Sequence, residues 1–173
     1  MNGRVDRRLV CSSRGMAISD DVERDLSTIV LPQWGCVRAD DGPPAWLVVD
    51  DGDEAIEPIR RYLRDLVSRG RSSSSVRSYA YDLLRWWRWL RVIDVEWNKA
   101  TAVDVKDFVL WLMSATKPRK LPRTVSARSA GTVNPVTRKR YLDDSYQART
   151  VRHSNAVVRD FYESGSMWDP GLW

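Results

Sequence analysis

Arginine side chains recur on one side of a predicted helix that runs from Val76 to about Val92. At about 100° per residue, a single arc of about 80° collects basic, aromatic and apolar residues: Arg77, Tyr81, Leu84, Arg88 and Arg91. Arginine presents a planar set of donors that fits phosphates and base edges, so this side of the helix could contact a nucleic acid. A charged face that is merely solvated is the open alternative.

A second cationic set lies near the end of the chain, in a helix predicted over Tyr146–Glu163. Apolar residues that would form a packing face alternate with polar residues in this helix. The polar residues are Arg149, Arg152, His153, Asn155 and Arg159. Asn155 could read a base or could be an ordinary surface residue, and the second interpretation is simpler. His153 has no cysteine or carboxylate at catalytic spacing, so we expect no catalytic role for it.

Metal, cofactor and enzyme chemistry is not indicated by the remaining residues. Cys11 and Cys36 form no CxxC spacing, and one histidine cannot complete a zinc site with them. The acidic run that starts at Asp50 resembles a calcium loop, but its twelfth position is Arg61 instead of glutamate. A nuclease or hydrolase would need clustered carboxylates or a nucleophile with its base, and the sequence offers neither. We therefore expect no cofactor, no metal and no small-molecule substrate.

The elements that position these residues are mainly helices. The 173-residue length allows one compact unit, and 43% hydrophobic with 29% charged residues is a globular balance. Besides the two helices above, periodicity and end signals predict helices over 58–70 and from Thr101 through Met113. Segments 27–37 and 45–49 favour two short strands joined by a turn, as a hairpin or extended arm. Trp86 is expected in the core, with Trp87 and Trp89 at its flanks, instead of forming a ligand box.

Charge divides the chain. Residues 1–53 hold six arginines against ten acidic side chains, for a net charge of −4, whereas residues 54–173 carry +9. A positive field of this kind favours a polyanionic partner. The segment 117–140 is basic and has no acid, so it is predicted as a long loop that either contacts phosphates or serves as a linker.

No segment predicts a membrane span. Apolar runs such as 29–31 and 45–49 fall far short of the roughly 20 residues that cross a bilayer. Leu9-Val10-Cys11 is too short for the core of a signal peptide. We expect a cytoplasmic protein with no membrane partner, and the sequence leaves open whether Met1 or Met16 is the true start.

The stretch 75–90 resembles the T-x3-Y-x2-D-L-x2-F-x2-F/W-L signature of the N-terminal core-binding domain of tyrosine recombinases, the phage integrase family. Tyr79, Asp82, Leu83 and Trp86 stand at the signature positions, with Ser75 in place of threonine. The last predicted helix, with Thr150-Val151, Val158-Arg159 and Phe161-Tyr162, is similar to the final helix of that domain. The resemblance covers about residues 54–165.

The resemblance implies a SAM-like four-helix bundle that clamps duplex DNA, with the second and last helices facing the major groove. The residues that it implies as DNA contacts are Arg77, Arg85, Arg88, Arg91, Arg149, Arg152, His153 and Arg159. We expect three parts: an arm over 1–53 that is partly disordered with a possible short β-hairpin, a DNA-binding core-binding domain over 54–165 with the basic loop 117–140, and a truncated tail over 166–173. The partners would be double-stranded DNA and, as a further option, other recombinase subunits.

The family cleaves DNA with a tyrosine nucleophile, arginines, a lysine and histidine or tryptophan partners in a separate domain. This chain has no H-x-x-R and ends shortly after Gly165, so we expect no catalysis and interpret it as a truncated integrase. The target sequence, the oligomeric state and whether the chain is a functional short protein stay open. The alternative function is a helical interaction module that docks a recombinase subunit or another partner.

Overall fold

Helices dominate the computed structural model, which describes residues 24–117, 132–138 and 144–165. The helices are α1 (Glu57–Ser68), α2 (Ser73–Val92), α3 (Ala102–Ser114) and α4 (Ala148–Gly165). Two strands, β1 (Cys36–Ala39) and β2 (Trp46–Val49), precede them, after a 3-10 turn at Leu26–Thr28. The predicted mainly helical fold with four helices and a short hairpin is confirmed.

The helix starts follow the capping signals in the sequence. Pro58 occupies the first turn of α1, where its missing N–H costs nothing. Ser72 caps α2, because its side chain accepts a hydrogen bond from the Ser75 N–H at 3.3 Å. Thr101 and Asp104 form a capping box with both reciprocal bonds present, as the sequence predicts for α3.

The hairpin is shorter than its β-branched residues indicate. β1 and β2 pair antiparallel, with Cys36 opposite Val49 and Ala39 opposite Trp46. The strand expected to begin at Ser27 begins only at Cys36, so that part of the prediction is wrong. The preceding segment is held by tertiary contacts, one of which is a 2.9 Å hydrogen bond from the Trp111 indole to the Ile29 carbonyl.

Two hydrophobic clusters share α2 and α4. The first joins β2, α1, α2 and α4 around Tyr62 and Leu83, and the second joins α2, α3 and α4 around Trp86 and Phe108. Trp87 packs against both clusters, whereas Trp89 is fully buried in the second. α2 is therefore covered over a wider arc than one apolar stripe, because α1, α4 and both strands all contact it.

Tyr162 fastens α4 to its neighbours. The Trp86 indole donates to the Tyr162 hydroxyl at 3.1 Å, and that hydroxyl donates to the Trp97 carbonyl at 2.6 Å. Burial raises the pKa of Tyr162 to about 12, so the hydroxyl stays protonated and keeps its donor role.

Several sequence predictions fall outside the described residues. They concern residues 1–23, most of the basic segment 117–140 and the tail 166–173. At the edges of that basic segment, Thr116 forms a β-bridge with Ser145, and the Lys117 N–H donates to the Asp144 carbonyl at 2.9 Å. The division of the chain into arm and domain at residue 53 stays a prediction, although Val48 of the hairpin packs in the same cluster as α1 and α2. In the part of the chain that the structure describes, no helix is long and apolar enough to cross a membrane.

Candidate nucleic-acid interface

The outward side of α2 is a narrow strip of polar and aromatic side chains. At about 100° per residue, an arc of about 100° holds Ser74, Arg77, Ser78, Tyr81 and Arg85, which we call the α2 strip. Arg77, Ser78 and Tyr81 are exposed, and Arg85 is half-buried. Its exposed members form the part of the N-terminal half of α2 that the neighbouring elements leave open.

Arg77 lies among aromatic rings instead of carboxylates. Its guanidinium carbon is 4.8 Å from the centre of the Trp46 ring and 5.6 Å from the centre of the Tyr81 ring. Within the described ranges, no acidic side chain forms an ion pair with Arg77. The positive charge of Arg77 is therefore available to an outside anion.

A buried carboxylate joins α2 to α4. Asp82 is only 4% exposed, and its carboxylate accepts hydrogen bonds from Arg85 and from the Ser154 hydroxyl, the latter at 2.6 Å. Arg85 also donates to the Ser154 hydroxyl at 2.9 Å. Each member of this trio satisfies another, so the contact fixes how α4 is rotated against α2. Arg85 was predicted to contact DNA, and the structure places its guanidinium mainly in this network.

His153 lies at the border between α4 and the α2 strip. Its Nε2 atom is 3.1 Å from the Ser78 hydroxyl and 3.3 Å from the Asp82 carboxylate, and its ring stands edge-on to Tyr79. The carboxylate partner that sequence spacing did not reveal is thus supplied by another helix. Because serine and aspartate approach the same ring nitrogen, the three residues do not have the hydrolase triad arrangement, which uses both nitrogens.

Arg88 does not project from α2 as its helical position predicts. Its Nε donates to the Trp34 carbonyl at 2.6 Å and its Nη2 to the Gly35 carbonyl at 2.8 Å. Burial lowers the pKa of Arg88, since the segment before β1 covers the guanidinium. Arg91 lies with its guanidinium carbon 4.5 Å from the centre of the Trp34 ring. The C-terminal half of α2 therefore holds the N-terminal segment of its own chain.

Three arginines share the exposed side of α4. Arg149, Arg152 and Arg159 fall within an arc of about 80°, and all three are exposed. None has an ion-pair partner among the residues that the structure describes. Arg149 comes one turn before His153 and therefore next to the α2 strip, whereas Arg159 lines a separate groove between α3 and α4. The predicted contacts thus divide into an adjoining pair, Arg149 and Arg152, and a more distant Arg159.

A groove continues the strip towards the end of α3. It has a volume of about 860 Å³ and lies between α2, the segment before β1 and the residues that follow α3. Tyr146 forms part of its wall, with the Arg85 guanidinium 5.0 Å and the Lys117 ammonium 5.7 Å from its ring centre. Basic and aromatic side chains therefore alternate along this edge, which is a combination suited to nucleic acid.

Sequence reasoning missed Trp46, Tyr146 and Ser154. Each contributes through contact with a residue far away in the chain, so helical periodicity around Arg77 or Arg85 carries no sign of it. The one usable signal was the pair of tryptophans, Trp34 and Trp46, in the segment that precedes α1.

The described residues hold no group of three or more histidine, cysteine or acidic side chains placed to bind a metal ion. In the acidic loop that resembles a calcium site, one Asp50 oxygen accepts hydrogen bonds from the N–H groups of Gly52 and Glu54. This carboxylate therefore organises the turn between β2 and α1.

Residues 59–134 match the family model of the phage integrase N-terminal SAM-like domain. The match begins in α1 and includes all of α2 and α3, whereas the hairpin and α4 lie outside it. The chain matches no curated protein and no solved structure. Residues 59–134 of this mainly helical chain are therefore similar to the N-terminal SAM-like domain of phage integrases, which supports the core-binding domain of tyrosine recombinases.

Proposed function

We propose that the chain binds duplex DNA in tyrosine-recombinase integration and recombination, using the α2 strip and the N-terminal half of α4. The observation that carries the proposal is the placement of Arg77, Arg149 and Arg152. These exposed arginines, without ion-pair partners in the described ranges, lie on two helices that the Asp82 network locks together. The family match to an integrase domain supports a DNA partner.

The geometry suits a duplex better than a small anion. The arginines are spread along two helices and do not converge on one point, so they match a row of phosphates. A major groove about 12 Å wide admits one helix, and the polar strip of α2 supplies donors for base edges. Phosphate contacts should dominate the affinity. The logarithm of the binding constant should then fall against the logarithm of the salt concentration with a slope of about 0.9 for each neutralised phosphate.

Charge reversal at two positions tests the proposal. The double variant Arg77→Glu with Arg152→Glu should weaken binding to a DNA duplex at least about tenfold, because it replaces attraction to phosphates by repulsion. Fluorescence anisotropy over a range of salt concentrations measures the affinity and the salt slope. Thermal stability should change little, because both side chains are exposed.

The matched control is Arg64→Glu, the same change at an exposed position of α1. Apart from the loss that the change in net charge causes, this variant should bind DNA within about twofold of the parent affinity. Equal losses for control and double variant would show that only net charge matters. Undiminished binding by the double variant would exclude this interface.

The same chain, we propose, contributes binding and not strand cleavage. Ser78, His153 and Asp82 are the side chains that come nearest to a catalytic group, and their shared contact at Nε2 does not activate the serine. The burial of Asp82 and the contacts of His153 with Ser78 and Asp82 favour a structural role at the helix contact.

A second candidate function, docking of another recombinase subunit, is favoured by the outer side of α3. Leu110 is 44% and Met113 64% exposed there, next to Val103, although a helix of one small domain normally hides such residues. A groove of about 550 Å³ adjoins them, between α3 and α4. Exposed apolar patches of this kind mark protein interfaces.

Sedimentation of the chain at high salt tests this second function. We expect concentration-dependent self-association that Leu110→Glu with Met113→Glu abolishes and that Val136→Glu, at a position 87% exposed outside the helices, does not. A chain that stays monomeric at all concentrations, or a variant that associates as the parent does, would contradict it.

A further inference from the structure

We propose that Trp46 is a positioning residue that directs the Arg77 guanidinium towards DNA, which makes β2 part of the DNA-binding surface. The inference rests on the proposed function, since Arg77 must contact DNA for its direction to matter. It goes beyond the matched domain, because Trp46 precedes the matched residues 59–134.

The Trp46 ring is fixed from two sides. Its backbone lies in β2 opposite Ala39, and the next two strand residues lead to Val48, which is buried in the first cluster. At the other end, the indole N–H donates to the Ser73 hydroxyl in the first turn of α2 at 3.0 Å. The ring is therefore held against the start of the helix that carries Arg77.

Contact with a fixed ring restricts the direction of a long side chain. An exposed arginine otherwise samples many rotamers, and each must be given up when it binds a phosphate or a base. The Arg77 guanidinium carbon lies over the Trp46 ring at 4.8 Å, a cation–π contact that uses none of its N–H donors. Tyr81 adds a second ring at 5.6 Å from the α2 strip itself.

The segment that carries Trp46 is itself secured to α2. Arg88 donates to the Trp34 and Gly35 carbonyls immediately before β1, and Val48 and Val49 are buried. The hairpin thus has its own attachment that does not depend on Arg77. The contact between Trp46 and Arg77 is therefore free to serve orientation, and its loss should not release the hairpin.

A double-mutant cycle on a mixed-sequence DNA duplex tests the inference. Arg77→Ala should weaken binding and lower the salt slope by about 0.9, the value of one phosphate contact. Trp46→Leu, with Arg77 present, should weaken binding about two- to fivefold, as expected for an exposed cation–π contact, and should lower the same slope. In the Arg77→Ala background, Trp46→Leu should have no further effect on either quantity.

Two further variants separate orientation from general structure. Trp46→Phe keeps an aromatic face while losing the hydrogen bond to Ser73, so it should restore most of the affinity and the slope. Trp97→Leu removes another partly exposed tryptophan, which stacks on Trp87 away from Arg77, and should leave DNA binding unchanged. Thermal melts of all variants show which losses come from unfolding.

The outcomes distinguish this inference from the proposed function. If Arg77→Ala leaves affinity and slope unchanged, Arg77 makes no DNA contact and the proposed interface fails with the inference. If Arg77→Ala weakens binding while Trp46→Leu has no effect, only the role of Trp46 is overturned. Additive losses in the double variant, or a loss in Trp46→Phe equal to that in Trp46→Leu, would likewise overturn it.

Discussion

Identical side chains on one helix have different roles in this protein. Arg77 and Arg88 lie on the same side of α2, yet Arg77 is exposed while Arg88 is bound to two backbone carbonyls. Helical periodicity gives the direction of each Cβ and therefore predicted the common side correctly. It cannot show which other segment of the chain crosses that side, and this is why Arg88 was expected to face outward.

Asp82 illustrates a residue whose role depends on burial. Replacing it by alanine should destabilise the protein by about 2–3 kcal/mol, because Arg85 and Ser154 would keep their burial and lose their acceptor. Urea denaturation monitored by tryptophan fluorescence measures the free energy of unfolding.

The control for that change is Asp65→Ala, which removes a surface ion pair with Arg69, the residue that follows α1. Such pairs contribute about 0–1 kcal/mol, so this variant should unfold almost as the parent does. An Asp82→Ala protein as stable as the Asp65→Ala protein would show that the network does not hold α2 and α4 together.

At the level of elements, helix boundaries were easier to predict than strands. Serine, threonine and proline at helix starts act through local hydrogen bonds and backbone angles, so the sequence around Ser72 and Thr101 predicts α2 and α3 closely. The segment before β1 is different, since its path follows from contacts with α2 and α3. β-branched residues at 28–30 therefore indicated a strand that tertiary contacts replace.

Gly35 lies where this segment turns into β1, and it should not tolerate a side chain. Its φ is +63°, and a Cβ atom would come within 2.6 Å of the Val49 carbonyl oxygen. Gly35→Ala should therefore destabilise the protein by about 2–3 kcal/mol, from backbone strain together with displacement of β2. Thermal or urea unfolding measures the loss.

Gly70 provides a matched comparison after α1. Its φ is +75°, but an added Cβ would meet no atom within 4 Å, so Gly70→Ala should cost only the strain of about 1–2 kcal/mol. Equal losses at the two positions would mean that the hairpin yields freely to the added methyl group.

At the level of the whole molecule, composition predicted the kind of partner better than the place of contact. The +9 charge of residues 54–173 indicated a polyanion, and the family match agrees with a DNA partner. The place of contact depends on residues that are distant in the chain. His153 of α4 contacts Ser78 of α2, and Trp46 of β2 contacts Arg77 of α2. Local sequence patterns do not reveal such contacts, so this part of the candidate interface could not be predicted from the sequence.

The attachment of Arg88 to the N-terminal segment lowers the number of free positive charges that α2 presents. Of the arginines on its outward side, Arg88 is bound to the Trp34 and Gly35 carbonyls, and Arg85 is partly neutralised by Asp82. Counting basic residues along this helix therefore overstates how many counterions a bound polyanion would release. If the proposed function holds, Arg77 and Arg91 are the contributors that remain on α2, and the other contacts fall to α4.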